Sequence, residues 1–579
     1  ILLIMPDSNL MKKAVVKVQS RSGFDKSFRN LLTTKCGTLT PLLCDELIAN
    51  TSVHLRLAIS ATLPPLASET FMNVNLKCEA FFVPSRIIMK GFEQFIQGKD
   101  DIKVGSSAAN AQDAKIRVPR LNVPSNNSGF GPGSLADYLG FRTTSVASSY
   151  INAMPFLAYH EIYETWYRNP LVQKSIYEDD SFYQTSASWA LVRLKRTIPN
   201  TIGGYSAISS SAYADGVKLT DLRQRNFGSD YFTVATPSPQ NGVAQKVTMS
   251  LPFTSSNGIK VKFDSAEADD SVITSGSFEA GEGVLNDASF DDGYGDPVNL
   301  SFTIASLRAA NSLQQWLERN QLGNNKYVDF LKVQYNANLK DSIAQRPVYL
   351  GSASFPVYSK GIYQTAKDSA AGNNPFDSVG SRYGHAYAEG DSLVIDGYTA
   401  QEPGYLMVLV SLVPEVTYSS GINKYLMRYL ADSSYGEHAN PIIQNVGPEP
   451  IYCYEFDNSF NGDDSFGIFG YTDRFASWMT RNNELHGLLR DGQSLESFAL
   501  QRSGMVDGIS DQFLQIPTNY MDQVTAVDSA ISNYGCWIDS YLDYKVSMPL
   551  ARYSIPSLQD PAYEHGDTVV ANRRGRILE

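Results

Sequence analysis

One short polar stretch places oxygen-bearing side chains at every second position: Asp457, Ser459, Asn461 and Asp463. Calcium binds carboxylate and amide oxygens in loops of this kind, usually with a bidentate carboxylate at the twelfth position. The twelfth residue here is Ile468, which has no ligand atom. The stretch predicts either a calcium loop with an incomplete ligand set or a plain polar turn, and the polar turn is the favoured interpretation. We expect no other cofactor.

Basic side chains concentrate near the beginning of the chain, where residues 12–35 contain a single acid. Lysine and arginine at this density either neutralise DNA phosphates or form a solvated tail. We predict a basic N-terminal arm over residues 1–35, with residues 1–10 doubtful because Met11 is the more natural start. The candidate DNA contacts are basic residues of this arm and of the C-terminal end: Lys12, Lys13, Lys17, Arg21, Lys26, Arg29, Arg573, Arg574 and Arg576.

Catalytic motifs are absent from the sequence. It has no phosphate-binding GxxxxGK(S/T) loop, no HExxH zinc motif, no GxSxG nucleophile elbow and no GxGxxG turn after a strand. The six histidines lack the spacing of metal ligands, and the five cysteines include no CxxC pair. We therefore predict no catalytic residues, structural histidines, and buried thiols of a protein made in a reducing cytoplasm.

The composition favours a large β-rich protein. The chain has 579 residues, of which 43% are hydrophobic and 19% charged, and 42 glycines and 27 prolines supply many turns. The formal net charge of −12 opposes DNA binding over the whole surface, so any DNA contact must be local. No apolar run approaches the roughly 18 residues that span a bilayer, and we expect no membrane partner.

Alternating apolar and polar residues predict the strands that would position these side chains. The pattern indicates one strand from Thr51 and a second over residues 74–84, and a longer apolar run predicts a third over 402–418. The stretch 230–242, DYFTVATPSPQNG, predicts a strand that runs into a rigid proline-rich loop.

Residues spaced as on a helical face predict three helices. The first follows a cap at Ser85 and ends at Gly98, and the second has Pro155 in its first turn and ends at Asn169-Pro170. The third follows a cap at Thr303 and stops at Gly323. Its apolar stripe is expected to face inward: Ile304, Leu307, Ala310, Leu313, Trp316 and Leu317.

Several motifs, in a fixed order along the chain, resemble one protein family. Besides 230–242 they are SGFDKSF (22–28), GTLTP (37–41), FFVPSR (81–86), GSLADYLGF (133–141), QRPVYLGS (345–352), FGYTDRFASWMTRNNELHG (469–487) and MPLARYSIP (548–556). Together they resemble the major capsid proteins of microviruses, small icosahedral single-stranded DNA phages, and the gokushovirus-like branch in particular. The chain departs from the family at Asn50, where a Pro-Gly-Asp turn is usual, and at Val348, where an acid is usual.

This resemblance implies the fold. We expect an all-β viral jelly roll, with eight antiparallel strands in two facing sheets and long loop and helical insertions. Residues 36–579 would form this single domain. Residues 243–300 would be an acidic insertion that protrudes from the surface, against the plainer interpretation of a solvated loop. Between 264 and 296 the sequence has ten acids and no lysine or arginine, among them Asp269, Asp270, Glu279, Glu282, Asp291 and Asp292.

The resemblance also implies the function. We expect a structural protein of the virion that self-assembles, in the host bacterial cytoplasm, into a T=1 icosahedral shell around circular single-stranded DNA. Its partners would be further copies of the chain, the DNA genome, a small basic DNA-binding virion protein and a host surface receptor. Bases held by the shell would stack on inward aromatic side chains without sequence preference.

Two other function classes stay open at this point. A β-sandwich carbohydrate-active enzyme would need paired carboxylates at a cleft, and the acids are too numerous for any pair to be singled out. A host-attachment protein overlaps with the capsid interpretation, because the outside of a shell can itself meet the host.

Overall fold

The structure is a computed structural model. It describes these residues: 21–71, 73–89, 92–96, 101–102, 114–115, 118–123, 129–141, 149–176, 218–242, 248–249, 259–262, 271–273, 278–279, 289–291, 304–322, 326–363, 382–427, 447–457, 467–503, 508–526 and 535–550. Within these ranges, no helix combines the length and the hydropathy that crossing a membrane would need.

Strands dominate the described chain. In chain order they are β1 (Ser22–Asp25), β2 (Phe28–Thr34), β3 (Thr40–Leu47), β4 (Thr51–Thr62), β5 (Val74–Pro84), β6 (Asp101–Ile102), β7 (Ala114–Lys115), β8 (Arg120–Val123), β9 (Ser149–Asn152), β10 (Thr248–Met249), β11 (Ile259–Lys262), β12 (Ser271–Ile273), β13 (Phe278–Glu279), β14 (Ser289–Asp291), β15 (Val348–Pro356), β16 (Tyr358–Tyr363), β17 (Arg382–Ala400), β18 (Gly404–Pro414), β19 (Glu449–Tyr452), β20 (Ile468–Thr472) and β21 (Cys536–Met548).

Helices are mostly short and lie between the strands. They are α1 (Ser85–Ile88), α2 (Phe92–Ile96), α3 (Leu135–Tyr138), α4 (Met154–Ile162), α5 (Ile304–Leu322), α6 (Tyr327–Tyr335), α7 (Asp341–Ala344), α8 (Lys424–Met427), α9 (Cys453–Phe456), α10 (Ala476–Met479) and α11 (Asp511–Leu514). Helix α4 continues into a π-helical turn, Tyr163–Tyr167.

Two antiparallel sheets form the body. The first has the order β1-β21-β4-β17-β16, with β2 also paired to β21, and the second has the order β15-β5-β18-β3. Eight strands belong to the barrel and can be numbered one to eight along the chain: β2, β3, β4, β5, β15, β17, β18 and β21. With these numbers the first sheet has the order 1-8-3-6 and the second has the order 2-7-4-5. The last strand thus returns to lie beside the first. This is the double Greek key of a jelly roll, and it confirms the predicted fold class.

The core between the sheets follows from strand alternation. In β4 the side chains of Val53, Leu55, Leu57 and Ile59 are buried, while the intervening side chains point away from the second sheet. They pack in one cluster with residues of β5 and β18. The five cysteines are free thiols, and four of them are buried.

A layer of helices covers the outer face of the second sheet. Every residue of β18 is buried, because Val408 faces the first sheet while Met407 and Leu409 pack in a second cluster with helix α4. Tyr159 of that helix donates its hydroxyl to the carbonyl oxygen of Leu39 at 2.7 Å. A strand with both faces covered needs no alternation. The predicted strand over 402–418 is therefore confirmed and its uniform apolar pattern explained.

The stretch 230–242 differs from its prediction. Asp230 accepts hydrogen bonds from the backbone N–H groups of Phe232 (3.0 Å) and Thr233 (2.8 Å), and residues 231–234 form a turn instead of a strand. The turn buries Phe232 against the edges and faces of other aromatic rings, Tyr418, Phe456 and Phe469. A side chain that satisfies local backbone donors here outweighs the strand preference of the residues.

The predicted helices are confirmed in position but differ in detail. The one after Ser85 is divided into α1 and α2 because Met89 has an extended backbone, which buries its side chain. The third helix, α5, has the expected range, but its apolar stripe does not face inward along its whole length. Leu307, Leu313 and Trp316 are 45%, 42% and 45% exposed. The part of the chain described here packs mainly against the C-terminal half of α5, through Gln314, Leu317 and Gln321.

The altered turn before β4 also has a local explanation. Asn50 has a φ of 63°, in the left-handed region that glycine adopts at least cost. Asparagine is among the few other residues that tolerate this region. Asn50 therefore adopts here a conformation that glycine would adopt at least cost.

Candidate nucleic-acid and assembly surfaces

The predicted basic arm is partly folded into the first sheet. Residues 22–34 form β1 and β2, which pair with β21. The prediction that 1–35 is one arm is therefore wrong for residues 22–34. The basic residues drew attention away from Phe24, Phe28 and Leu32, whose side chains point inward and pack on the core. Arg21, just before β1, donates to Asn50 and Ser52 at 2.8 Å each.

Two of the candidate DNA contacts already have acidic partners. Lys26 forms an ion pair with Asp45, and Arg29 forms a two-pronged ion pair with Asp539 whose Nε–Oδ1 distance is 2.8 Å. Hydrogen bonding to Arg29 lowers the pKa of Asp539. These charges are neutralised within the chain. Lys12, Lys13, Lys17, Arg573, Arg574 and Arg576 lie outside the described residues.

The proposed calcium loop is described at one position. Asp457 is buried, and its backbone N–H donates to the carbonyl oxygen of Cys453 at 3.0 Å. Ser459, Asn461 and Asp463 lie outside the described residues. Over the ranges that the structure describes, no three histidine, cysteine, aspartate or glutamate side chains form a metal-binding group. Calcium at this loop stays a prediction.

The acidic insertion contains strands. Glu279 lies in β13 and Asp291 in β14, whereas Asp269, Asp270, Glu282 and Asp292 fall outside the described residues. β10 pairs with β13, and β11 pairs with both β12 and β14. These pairings join the insertion to itself rather than to the two large sheets. The acid-rich composition predicted a protruding insertion without strands of its own, but short alternating stretches such as IKVK form local strands.

Buried charged side chains form a cluster that the sequence did not reveal. Arg225 pairs with both oxygens of Glu79 at 2.6 and 3.1 Å, and each side chain is 15% exposed. Tyr167 donates its hydroxyl to the same carboxylate, and Arg225 also donates to Ser411. Burial and the charge of Glu79 raise the pKa of Tyr167. The cluster joins β5, β18 and the end of the α4 segment, so its role is cohesion.

A second charged cluster fixes the segment that carries α8. Lys424 is 4% exposed, with its Nζ atom 3.0 Å from Glu449 and 3.8 Å from Glu455. It also donates to the carbonyl oxygen of Pro450. No spacing rule could have indicated this cluster, because Lys424 lies in helix α8 whereas Glu449 and Glu455 lie in β19 and α9.

His160 confirms the prediction of a structural histidine. Arg223 donates to its Nδ1 at 2.9 Å, so Nε2 carries the proton and donates to the carbonyl oxygen of Leu219 at 3.0 Å. Burial and the positive charge of Arg223 hold the pKa of His160 well below its usual value. A neutral, fully bonded imidazole of this kind holds residues 219–223 against helix α4.

Among the residues that the structure describes, many of the exposed large apolar side chains fall into three groups. The helical surface consists of Leu307, Leu313, Trp316, Val333, Tyr335 and Ile343. The loop surface consists of Ile468, Trp478, Met479, Leu488 and Leu495. The open sheet face comprises the outward side chains of β2, β21, β4, β17 and β16, with Leu31, Trp537, Tyr541, Val394, Tyr358 and Ile362 exposed. Large apolar side chains exposed in such groups mark candidate interaction surfaces.

Comparison with known proteins gives one consistent result. The family model described as "Capsid protein (F protein)" matches residues 14–558. Capsid protein VP1 of Chlamydia phage 1 is 25% identical over 93% of this chain and 96% of its own length. Capsid protein VP1 of Bdellovibrio phage phiMH2K is 26% identical over 93% and 95%, and that of Spiroplasma virus 4 is 22% identical over 83% and 85%. The chain belongs to the capsid protein (F protein) family of microviruses, and it is a structural protein rather than an enzyme.

Proposed function

We propose that copies of this chain form a T=1 icosahedral shell around a circular single-stranded DNA genome. The observation that carries the proposal is the extent of the family match, residues 14–558, which spans every strand of the jelly roll. The matched region includes both large sheets and the insertions between their strands. One chain that repeats the same contacts around closed symmetry axes builds a finite container.

The exposed apolar regions supply contacts for such a shell. Stable protein interfaces bury aromatic, methionine and arginine side chains at their centres. The loop surface carries Trp478 and Met479, which are 49% and 69% exposed in the single chain. The helical surface carries Trp316. Burial of these side chains between copies would stabilise the contact by about 25 cal/mol for each Å² of apolar surface removed from water.

Charge determines which further partners the shell requires. A chain of net charge −12 repels an acidic genome, so counter-charge must come from ions, from basic ends of the chain or from a small basic virion protein. Lys12, Lys13, Lys17, Arg573, Arg574 and Arg576 are the candidate basic residues near the two ends of the chain, and we assign this counter-charge to them. The free thiols fit assembly in the reducing cytoplasm of a host bacterium. The acidic insertion over 243–300 is the proposed contact with the host receptor.

Sedimentation of the expressed full-length chain tests this proposal. Alone or with partner virion proteins, the chain is expected to form fast-sedimenting closed particles that appear uniform by electron microscopy. DNA inside them should resist nuclease until the particles are disrupted. A chain that remains monomeric under every co-expression condition would contradict the proposal.

A further inference from the structure

One cross-strand row of the open sheet face carries three aromatic side chains. Thr33, Trp537, Thr62, Tyr387 and Tyr358 are directly opposite one another in register across β2, β21, β4, β17 and β16. Neighbouring strands are about 4.8 Å apart, so Trp537 and Tyr387 stand roughly 10 Å apart with the small Thr62 between them. The ring centroids of Tyr387 and Tyr358 are 6.2 Å apart.

The end of this row at β16 carries polar and basic groups. His385 stacks on Tyr387 with an angle of 20° between the rings, and the Nζ atom of Lys360 lies 5.2 Å from the centroid of Tyr387. Trp537 and Tyr358 remain 46% and 54% exposed. In proteins that bind single-stranded nucleic acids, unpaired bases stack on aromatic rings that lie beside cationic side chains on an open sheet.

A groove lies beside Trp537 at the other end of the row. Its volume is about 960 Å³, and its floor and walls include Thr33, Ser60, Thr62 and Tyr138. Small-molecule sites span roughly 300–1,000 Å³, so the groove has room for a nucleotide. The groove also has acids, Asp137 and Asp539, which disfavour phosphate. The polar hydroxyls and the indole instead suit the edge and the face of a base.

We infer that this aromatic row, formed by Trp537, Tyr387 and Tyr358, is a stacking platform for unpaired bases of single-stranded DNA. The inference rests on the proposed function, because it identifies the genome as the ligand of the open sheet face. The row contains no aliphatic side chain, and its flat aromatic rings suit stacking on the flat faces of bases. Glu389 in the adjacent cross-strand row and the acids of the groove make the platform one for bases rather than for phosphates.

Oligonucleotide binding by the full-length chain tests the inference. The probe is a short fluorescent oligodeoxythymidine, with a duplex of the same length for comparison, measured by anisotropy. Loss of one stacked base is expected to weaken binding about tenfold. The affinity of Trp537→Leu for the probe should therefore fall about tenfold, whereas that of Trp537→Phe should change little. Tyr425→Leu is the matched control, since Tyr425 is 57% exposed on helix α8.

Stacking also predicts a particular salt dependence. The ratio of wild-type to Trp537→Leu affinity should persist as salt is raised, because released counterions accompany phosphate contacts and not stacking. Ultraviolet cross-linking of wild-type protein to the same probe should modify peptides that contain Trp537, Tyr387 or Tyr358. This second measurement needs no variant, so it stands even where a variant does not fold.

Three outcomes would overturn the inference. The first is equal binding of the probe by wild type and by the Trp537→Leu, Tyr387→Leu double variant. The second is cross-linking confined to other peptides. The third is loss of particle formation in the double variant with DNA binding unchanged, which would make the row a contact between copies. Failure of the wild-type chain to form particles is a separate result that would refute the proposed function instead.

Discussion

Arg225 shows how single charged side chains join distant parts of this chain. Its guanidinium connects Glu79 of β5 with Ser411 of β18 and stacks against Tyr167, with the guanidinium carbon 5.2 Å from the ring centroid. A buried ion pair of this kind contributes little net stability relative to apolar residues, but an unpaired charge left behind is costly. The cluster therefore makes the position of the α4 segment specific.

Substituting one partner of this pair should destabilise the fold strongly. Glu79→Gln leaves the charge of Arg225 buried without a carboxylate, and we expect a loss of about 3–5 kcal/mol in the free energy of unfolding. Denaturant titration of the unassembled chain measures the change. The control is Glu402→Gln in the more exposed pair with Arg86, where the expected loss is about 1 kcal/mol or less. Equal losses for the two variants would contradict the role assigned to Arg225.

Buried thiols make the fold sensitive to alkali. Burial raises the pKa of Cys536 from 9.0 to about 12, and it also raises the pKa values of Cys36 and Cys78. When folding raises the pKa of a group, that group contributes its full stabilisation at pH values below its pKa in the unfolded chain. This contribution declines as the pH rises from 9 towards the folded value.

We therefore expect the free energy of unfolding to fall above about pH 9, by up to roughly 1.4 kcal/mol per pH unit for each thiol. Thermal unfolding at a series of pH values measures this slope. Cys536→Ala should reduce the slope even though the lost packing lowers stability at neutral pH. A slope identical to that of the wild type would show that Cys536 does not contribute.

The basic residues before the first strand provide a prediction about packaging. Replacing Lys12, Lys13 and Lys17 by glutamine should lower the DNA content of particles, with the largest effect at low ionic strength, while the geometry of empty shells is retained. The comparison variant is Lys26→Gln with Arg29→Gln, whose charges are already paired with Asp45 and Asp539. Normal DNA content in the triple variant would assign the genome contact to a basic partner protein instead.

Among the elements, the sequence predicted best the strands whose apolar and polar residues alternate. The strand β5 occupies the predicted residues 74–84, and β4 begins at the predicted Thr51. The long strands β17 and β21 were not predicted, although the alternation of buried Ile538, Leu542 and Tyr544 was readable in CWIDSYLDYKVSM. The turn at Asp230 and the division of the helix after Ser85 depend on tertiary contacts, which periodicity does not contain.

The candidate surfaces were less predictable than the strands. Charge density indicated Arg21, Lys26 and Arg29, but only the structure shows their partners. The aromatic row combines residues of β16, β17 and β21, which the sheet brings into register across β4. Its residues can be recognised as the outward-facing positions of alternating strands only when the positions of β17 and β21 are known.

The acidic insertion can be tested as an independent element. Its five short strands pair with one another, so removal of 243–300 should leave the two large sheets intact. Helix α5 rises about 20 Å between Ile304 and Leu317, and Leu317 accepts a hydrogen bond from Asn241. A Gly-Ser linker of about eight residues, at roughly 3.3 Å each, spans this distance.

The linker variant should unfold cooperatively, with a midpoint close to that of the full chain, and should change attachment to host cells. Calorimetry and a cell-binding assay measure the two properties. Aggregated or unfolded protein would show that the insertion is part of the core. Normal attachment in a folded variant would remove the receptor role proposed for it.

At the scale of the whole molecule, the two sheets differ in what covers them. Helices close the outer face of the second sheet, whereas the first sheet presents an open face of aromatic and charged side chains. The first sheet also brings together the ends of the jelly roll, because Phe28 of β2 is opposite Leu542 of β21. Completion of this sheet therefore requires nearly the entire chain, and we expect slow folding from such long-range pairing.

We propose that this jelly roll is the repeating unit of a closed shell. Cryo-electron microscopy of particles purified after expression of the full-length chain tests it most directly. We expect an icosahedral T=1 reconstruction in which each position holds one copy of the two-sheet body, with Trp478 and Met479 buried between copies. Particles without closed symmetry, or a shell whose density does not accommodate the pairing of β2 with β21, would contradict it.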